Sequence, residues 1–423
     1  MAEYHFNLPP ITQLTIPQQA ALYETKQIAL SGGPGTGKSV VSLWRHISNL
    51  RKKQKSLLLT YATTLKMYFR NACLAEAKKT DIDDETRKSF KNAADTVNSS
   101  LKGKPKTAII VQEIIVDEAQ DLPINYYEYI KRIAKVSYGA DDSQILYPDN
   151  CSYQRVLKKV FPDNVDYVLD KNFRSTQRIM KFAKVAFPEA YIPTSIIEGL
   201  SNNVGELPVM LISGKNKWIE EERKFEISNN KQDNAILRII TPLKTTTQNV
   251  AIIVPWKKDA IYFENVIKNS IPDYSIYYED EDRFPNGCEA IKNVHITTFK
   301  SSKGLEFDTV IIPNFYDLSK IDVNIIIEGI TTQNKEELEK GLSEILNCPI
   351  QIKEKQTIIY LKIKTVQFQS ISELVKKING LKIRIEISWR DVYVGVTRAR
   401  SNLYLISSFD IPQLNTVTDK QIL

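Results

Sequence analysis

The first half of the chain alternates short unbroken apolar runs with longer stretches whose apolar positions recur every three or four residues. Ile28-Ala29-Leu30 precedes Val40, Val41, Leu43, Trp44, Ile47 and Leu50, and Ser56 to Tyr61 precedes Leu65, Tyr68, Phe69, Ala72 and Ala75. Runs this short read as strands buried on both faces, and the longer stretches, about Thr64 to Lys79 among them, read as helices packed over them. A third run, Ile114-Ile115-Val116, follows a charged, turn-rich stretch from Thr80 to Pro105 that reads as a short peripheral insertion. Further strands are expected near Val209 to Ile212, at Val250 to Val254 and at Val294 to Thr297. Strand and helix in alternation predict an α/β fold with parallel sheets.

Between Pro313 and Trp389 the pattern changes. It predicts a strand (Val323 to Glu328), a helix (Lys335 to Leu346), two strands (Ile350 to Lys353 and Thr357 to Lys364), a helix (Ser370 to Ile378) and a strand (Lys382 to Ile387). The order β-α-β-β-α-β is that of a ferredoxin-like split βαβ unit, so residues 320–388 are expected to form a small inserted α/β subdomain. Such a unit can recruit a partner or touch nucleic acid, and its few aromatics, Tyr360 and Phe368, argue against RNA recognition.

A chain of 423 residues has room for two or three domains. No run reaches the roughly 18 apolar residues of a membrane span, and the polar start, Met1 to Pro10, does not resemble an export signal. Cys73, Cys151, Cys288 and Cys348 have no C-x-x-C spacing, which points to a reducing cytoplasm rather than to disulfides or zinc. The net charge of +7 suits a polyanionic partner as well as it suits plain solubility.

Chemistry enters at Ser31-Gly32-Gly33-Pro34-Gly35-Thr36-Gly37-Lys38-Ser39, a full match to G-x-x-x-x-G-K-[ST] between a strand and a helix. Gly35, Thr36 and Gly37 offer backbone N–H groups to an anion at a helix N-terminus, Lys38 reaches the β/γ-phosphates and Ser39 offers a hydroxyl to Mg²⁺. The third apolar run ends in Asp117-Glu118, which places Asp117 to hold Mg²⁺ and Glu118 to activate the attacking water. Asp121, by contrast, reads equally as a cap for the following helix. Gln144, at the end of the next strand, stands where a side chain can sense the γ-phosphate, and Gln19 is a candidate reader of the adenine edge, the alternative being a solvated helix residue.

The ordered set Gln19, GGPGTGKS, DEAQD, DDSQ, Asn172-Phe173-Arg174-Ser175, Thr298 to Phe307 and Tyr393 to Arg400 resembles the UvrD/Rep-like group of superfamily one helicases. The resemblance spans Thr15 to Leu405 and implies two RecA-like domains, 1–160 and 161–423, with ATP and Mg²⁺ between them and single-stranded nucleic acid, more specifically DNA, across the top. It further implies that Phe173 stacks on adenine, that Arg174 and Arg398 reach the γ-phosphate, and that Glu306 meets the ribose or links it to the nucleic-acid track. The chain departs from the group's pattern at Tyr61-Ala62-Thr63-Thr64, which lacks an Asn-Lys pair, at Lys300, where histidine is common, and after Gln144, where Phe-Arg-Gly-Ala is missing. Both large accessory domains are absent too. The expectation is a minimal ATP-driven motor; the alternative is a regulatory ATPase subunit beside a nuclease in a defence or repair complex.

Overall fold

The computed structural model describes residues 8–60, 63–79, 94–96, 111–147, 151–214, 218–219, 224–225, 230–243, 245–271, 273–277 and 292–423. Its first sheet is built from β1 (Ile28–Ser31), β2 (Ser56–Thr60), β3 (Ala94–Thr96), β4 (Glu113–Val116), β5 (Lys135–Ala140) and β6 (Val165–Val168). They lie in the order β3-β2-β4-β5-β1-β6, all parallel. The central strands are unbroken apolar runs because helices cover both their faces, among them α1 (Ile16–Tyr23), α2 (Lys38–Arg51) and α3 (Thr63–Lys79).

Two expectations change at the margins of this sheet. The stretch Thr80 to Pro105 is not wholly peripheral, because Ala94 pairs with Leu58 and adds an edge strand; its other residues lie outside the described ones, as does Cys288. The expected boundary at residue 160 falls too early, because β6 pairs with β1 from Ile28 and Val165 onward. The chain crosses to the second sheet after Val168: the amphipathic helix Gln177–Ala186 buries Phe182 against Phe315, and Phe187 meets Tyr393 edge-on.

The second sheet takes β7 (Val209–Ile212), β10 (Val250–Val254), β11 (Ser275–Tyr277), β12 (Val294–Thr298), β13 (Phe307–Ile312), β17 (Ala399–Ser407) and β18 (Asp419–Ile422). It is again parallel, in the order β11-β12-β10-β13-β17-β7-β18. A short hairpin of β8 (Trp218–Ile219) and β9 (Lys224–Phe225) stands apart from it. Two parallel sheets make the α/β expectation good, and nucleotides bind at the carboxyl ends of such strands.

The insertion between β13 and β17 is an antiparallel sheet, β15-β14-β16, of β14 (Val323–Glu328), β15 (Ile358–Ile363) and β16 (Lys382–Ser388). Helices Lys335–Leu346 and Thr365–Lys377 cover one face, and Ile325, Ile327, Leu338, Leu342, Ile359 and Ile371 form a core separate from that of the second sheet. The expected strand Ile350 to Lys353 does not form. Its Ile350 N–H donates to Ser343 Oγ and its Ile352 N–H to Glu339 Oε1, so helix side chains take the bonds that a sheet edge would have supplied. The unit is therefore a split βαβ arrangement short of one edge strand.

Candidate nucleotide site

The phosphate-loop sequence folds as a loop closed by its own side chains. Gly35 and Gly37 have φ of +74° and +87°, and a Cβ on Gly37 would sit 2.4 Å from Gln18 Nε2. Only glycine satisfies both the left-handed backbone and that close approach. Thr36 Oγ1 donates to Gly33 O at 2.9 Å, while Lys38 Nζ donates to Gly32 O and Gly33 O and lies 3.7 Å from Asp141. Helix α2 starts at Lys38, so its free N–H groups and positive dipole end point at the loop.

Beside the loop, Ser39 Oγ donates to Asp117 Oδ2 at 2.7 Å. Burial, and then the charge of Glu118, push the Asp117 carboxyl up to about 7. A hydroxyl and a buried carboxylate that gains from a neighbouring cation fit Mg²⁺, whose other ligands would be phosphate oxygens and water. Among the described residues no group of three His, Cys, Asp or Glu side chains converges into a metal cage.

Glu118 sits at φ +55°, a strained setting for a residue with a side chain, and its Oε2 accepts from Gln120 Nε2 at 2.7 Å. Burial would raise its pKa, yet Lys303 and Lys38 outweigh that and bring it down to about 2. Lys303 comes from the second half of the chain, is itself 2% exposed, and lies 3.4 Å from Glu118 Oε2. Its Nζ donates to Asp121 Oδ2 at 2.5 Å and to Gln144 O at 2.7 Å. Burial works against the Lys303 charge, but the two carboxylates more than offset it and its pKa is raised. Asp121 is thus an ion-pair partner rather than a helix cap.

Arg398, just before β17, and Arg174, in the crossover after β6, reach the same cleft. Arg398 is 1% exposed; its Nη2 donates to Gln144 Oε1 at 2.7 Å, and Gln144 Nε2 donates onward to Asp141 Oδ2 at 2.6 Å. Burial and the neighbouring Arg174 guanidinium press Arg398 down to about 9, so it is charged at neutral pH in a place crowded with positive charge. Arg174 Nε donates to Glu306 Oε2 at 3.3 Å. Two guanidiniums this close favour a bound anion.

These groups surround a cavity of about 270 Å³. Gly35 to Ser39, Glu118, Gln144, Phe173, Arg174, Glu306 and Arg398 all line it, and Asp117 stands behind Ser39. Phe173 is 44% exposed, with Lys171 Nζ 5.4 Å from its ring centroid. Gln19 is the exception. Its amide donates to Leu14 O and it is not part of the wall, whereas the buried Gln18 holds Thr36 O at 3.0 Å. The reason is helical phase: Thr15 caps α1 and Gln18 closes the capping box, turning residue 18 inward and residue 19 away. Sequence reasoning also passed over Lys303 and Arg400, though a lysine amid Ser301, Ser302 and Gly304 was itself a signal.

Residues 275–409 match the UvrD-like helicase C-terminal domain. A putative ATP-dependent DNA helicase, R568, of Acanthamoeba polyphaga mimivirus is 30% identical over 255 residues, covering 54% of this chain and 32% of that protein. The chain thus spans about a third of the viral protein's length. Among solved structures, the C-terminal domain of a possible DNA helicase from a Lactobacillus is 14% identical (TM-score 0.28, covering 59% of this chain and 98% of that one). An arterivirus nonstructural protein 10 helicase in complex with DNA is 12% identical (TM-score 0.37, covering 95% and 65%). The matched domain and the viral relative make this chain similar to UvrD-like helicases, most directly over residues 275–409.

Proposed function

We propose that the protein is an ATP- and Mg²⁺-dependent motor that hydrolyses ATP to move on nucleic acid, with single-stranded DNA as its track. The observation that carries this reading is the hydrogen bond from Arg398 to Gln144, which joins the two sheets across the cleft that holds Lys38 and Glu118. In the proposed cycle Lys38 leaves the loop carbonyls for the β/γ-phosphates and Phe173 takes the base against its ring. Ser39 and Asp117 would hold Mg²⁺, which supplies charge neutralisation to the phosphates. Glu118, kept ionised by Lys303, accepts the proton of the attacking water. Arg174 and Arg398 neutralise charge that builds on the γ-phosphate. Gln144, tied to Arg398 and Asp141, transmits the loss of that phosphate to the second sheet.

Near the cleft, Lys300 Nζ lies 5.4 Å from the Tyr147 ring centroid. A cation over an aromatic at the seam of the two sheets supports a sugar-phosphate and base contact there. Among the described residues no helix is long and apolar enough to cross a membrane.

The test is steady-state ATPase activity titrated with single-stranded DNA, duplex DNA and RNA, for the wild type and for Glu118→Gln. Strong stimulation by single-stranded DNA is expected, with a loss of roughly 100-fold or more in the variant while ATP still binds. Indifference to every nucleic acid refutes the motor and leaves a sensing ATPase, and near-normal turnover by E118Q removes Glu118 from its role.

A further inference from the structure

Arg400 stands in the wall of the cleft without a part in the cycle above. It is the second residue of β17, two positions after Arg398, and both side chains line the cleft. Pairing of Phe307 with Ala399, with the Phe307 N–H donating to Arg398 O, brings Glu306 alongside it. The Glu306 carboxylate is then shared between two guanidiniums. Its Oε2 accepts from Arg174 Nε at 3.3 Å and its Oε1 lies 3.5 Å from Arg400 Nη1. All three side chains are largely shielded, at 15% exposed for Arg174, 24% for Glu306 and 32% for Arg400.

This sharing matters because Arg174 has two calls on it. The ion pair with Glu306 holds its guanidinium at the carboxylate, whereas the proposed hydrolysis needs it at the γ-phosphate. A carboxylate left alone in a partly buried cleft is costly, so with a single partner Glu306 would retain Arg174. A second cation on the other oxygen removes that constraint.

We propose that Arg400 is a positioning residue of the nucleotide cleft: it keeps hold of Glu306 so that Arg174 is released to the triphosphate. This rests on the ATPase reading of the site. Arg400 acts through Glu306 and not on the phosphate, so its loss lowers kcat, through a retained Arg174, more than it raises the KM for ATP. The same loss has no consequence where Glu306 no longer carries charge.

The experiment is a double-mutant cycle on the full chain with Arg400→Gln and Glu306→Gln, read as kcat and KM for ATP, with melting temperature as the check on folding. R400Q is expected to lower kcat by about tenfold or more in the wild-type background and to change it by less than about twofold in the E306Q background. R400K is expected to keep most of the activity, because a single cation on Oε1 suffices. Equal effects of R400Q in both backgrounds, or a rise in KM with kcat unchanged, overturn the proposal. A wild type that does not hydrolyse ATP defeats the reading of the site and this inference with it, whereas a hydrolysing wild type with an unaffected R400Q defeats the inference alone.

Discussion

Replacing Lys303 with methionine tests the buried latch between the two sheets. Methionine keeps the apolar stem and removes the ammonium, leaving Asp121, 1% exposed, and Glu118, 8% exposed, with no cation between them. Breaking one partner from a buried ion pair costs roughly 3–5 kcal/mol when the remaining charge has no other relief. Here Asp121 has relief, since burial already raises its carboxyl to about 6 with Lys303 opposing that shift. Without the lysine its pKa climbs further, and the carboxyl takes a proton. An acid whose folded pKa is raised supplies stability below its unfolded value and loses it as pH rises through the folded value. The K303M deficit should therefore be about 3–5 kcal/mol near pH 8 and shrink toward pH 6, by up to about 1.4 kcal/mol per unit for one proton. Denaturant midpoints at pH 6, 7 and 8 for K303M, D121N and the double variant measure this, with the double variant recovering to within about 1 kcal/mol of D121N. A deficit that does not vary with pH, or one that Asp121→Asn does not relieve, would refute the account of the latch.

Three further outcomes follow from single contacts. Gly37→Ala forces a Cβ into the left-handed region and against the Gln18 amide; a loss of about 1–3 kcal/mol and weaker ATP binding are expected in melting and titration experiments. Gln18→Ala should weaken ATP binding by several-fold through the loosened Thr36, while Gln19→Ala stays within about twofold; the reverse order would restore Gln19 as the base reader. Burial depresses the His295 imidazole to about 3, so below pH 6.5 the unfolded chain binds a proton that the native state refuses, and stability falls with acid. That amounts to about 2 kcal/mol at pH 5, and His295→Gln should flatten the midpoint-versus-pH curve over pH 5 to 6.5.

What the sequence carried best was chemistry set by local spacing. The glycines, Lys38 and Ser39 had to sit together because the loop is one contiguous turn, and Asp117-Glu118 had to end a strand because the apolar run stops there. Arg174 and Arg398 were legible only through the order of motifs, since their meeting depends on how two sheets dock. The misplaced Gln19 shows the limit of spacing: one residue on a helix is a rotation of about 100°, and only the capping box of Thr15 and Gln18 fixes which amide turns inward. Lys303 and Arg400 were passed over for a related reason, because their value lies in carboxylates far off in the chain or on a neighbouring strand. The missing insertion strand had the right alternation, yet Ser343 and Glu339 offered its backbone closer partners.

The insertion also bears on how such a chain can be edited. Its two ends meet: the Trp389 N–H donates to Asp322 O at 3.2 Å, and β16 runs through Ser388 straight into the helix Trp389–Val396 that leads to Arg398. With both ends tied at one point and a core of its own, the unit is a closed graft on the host. A short turn joining Asp322 to Ile387, which packs in the host core, would leave the host sheet's strand order unbroken, so the graft can be lifted out or exchanged for another as a single genetic step.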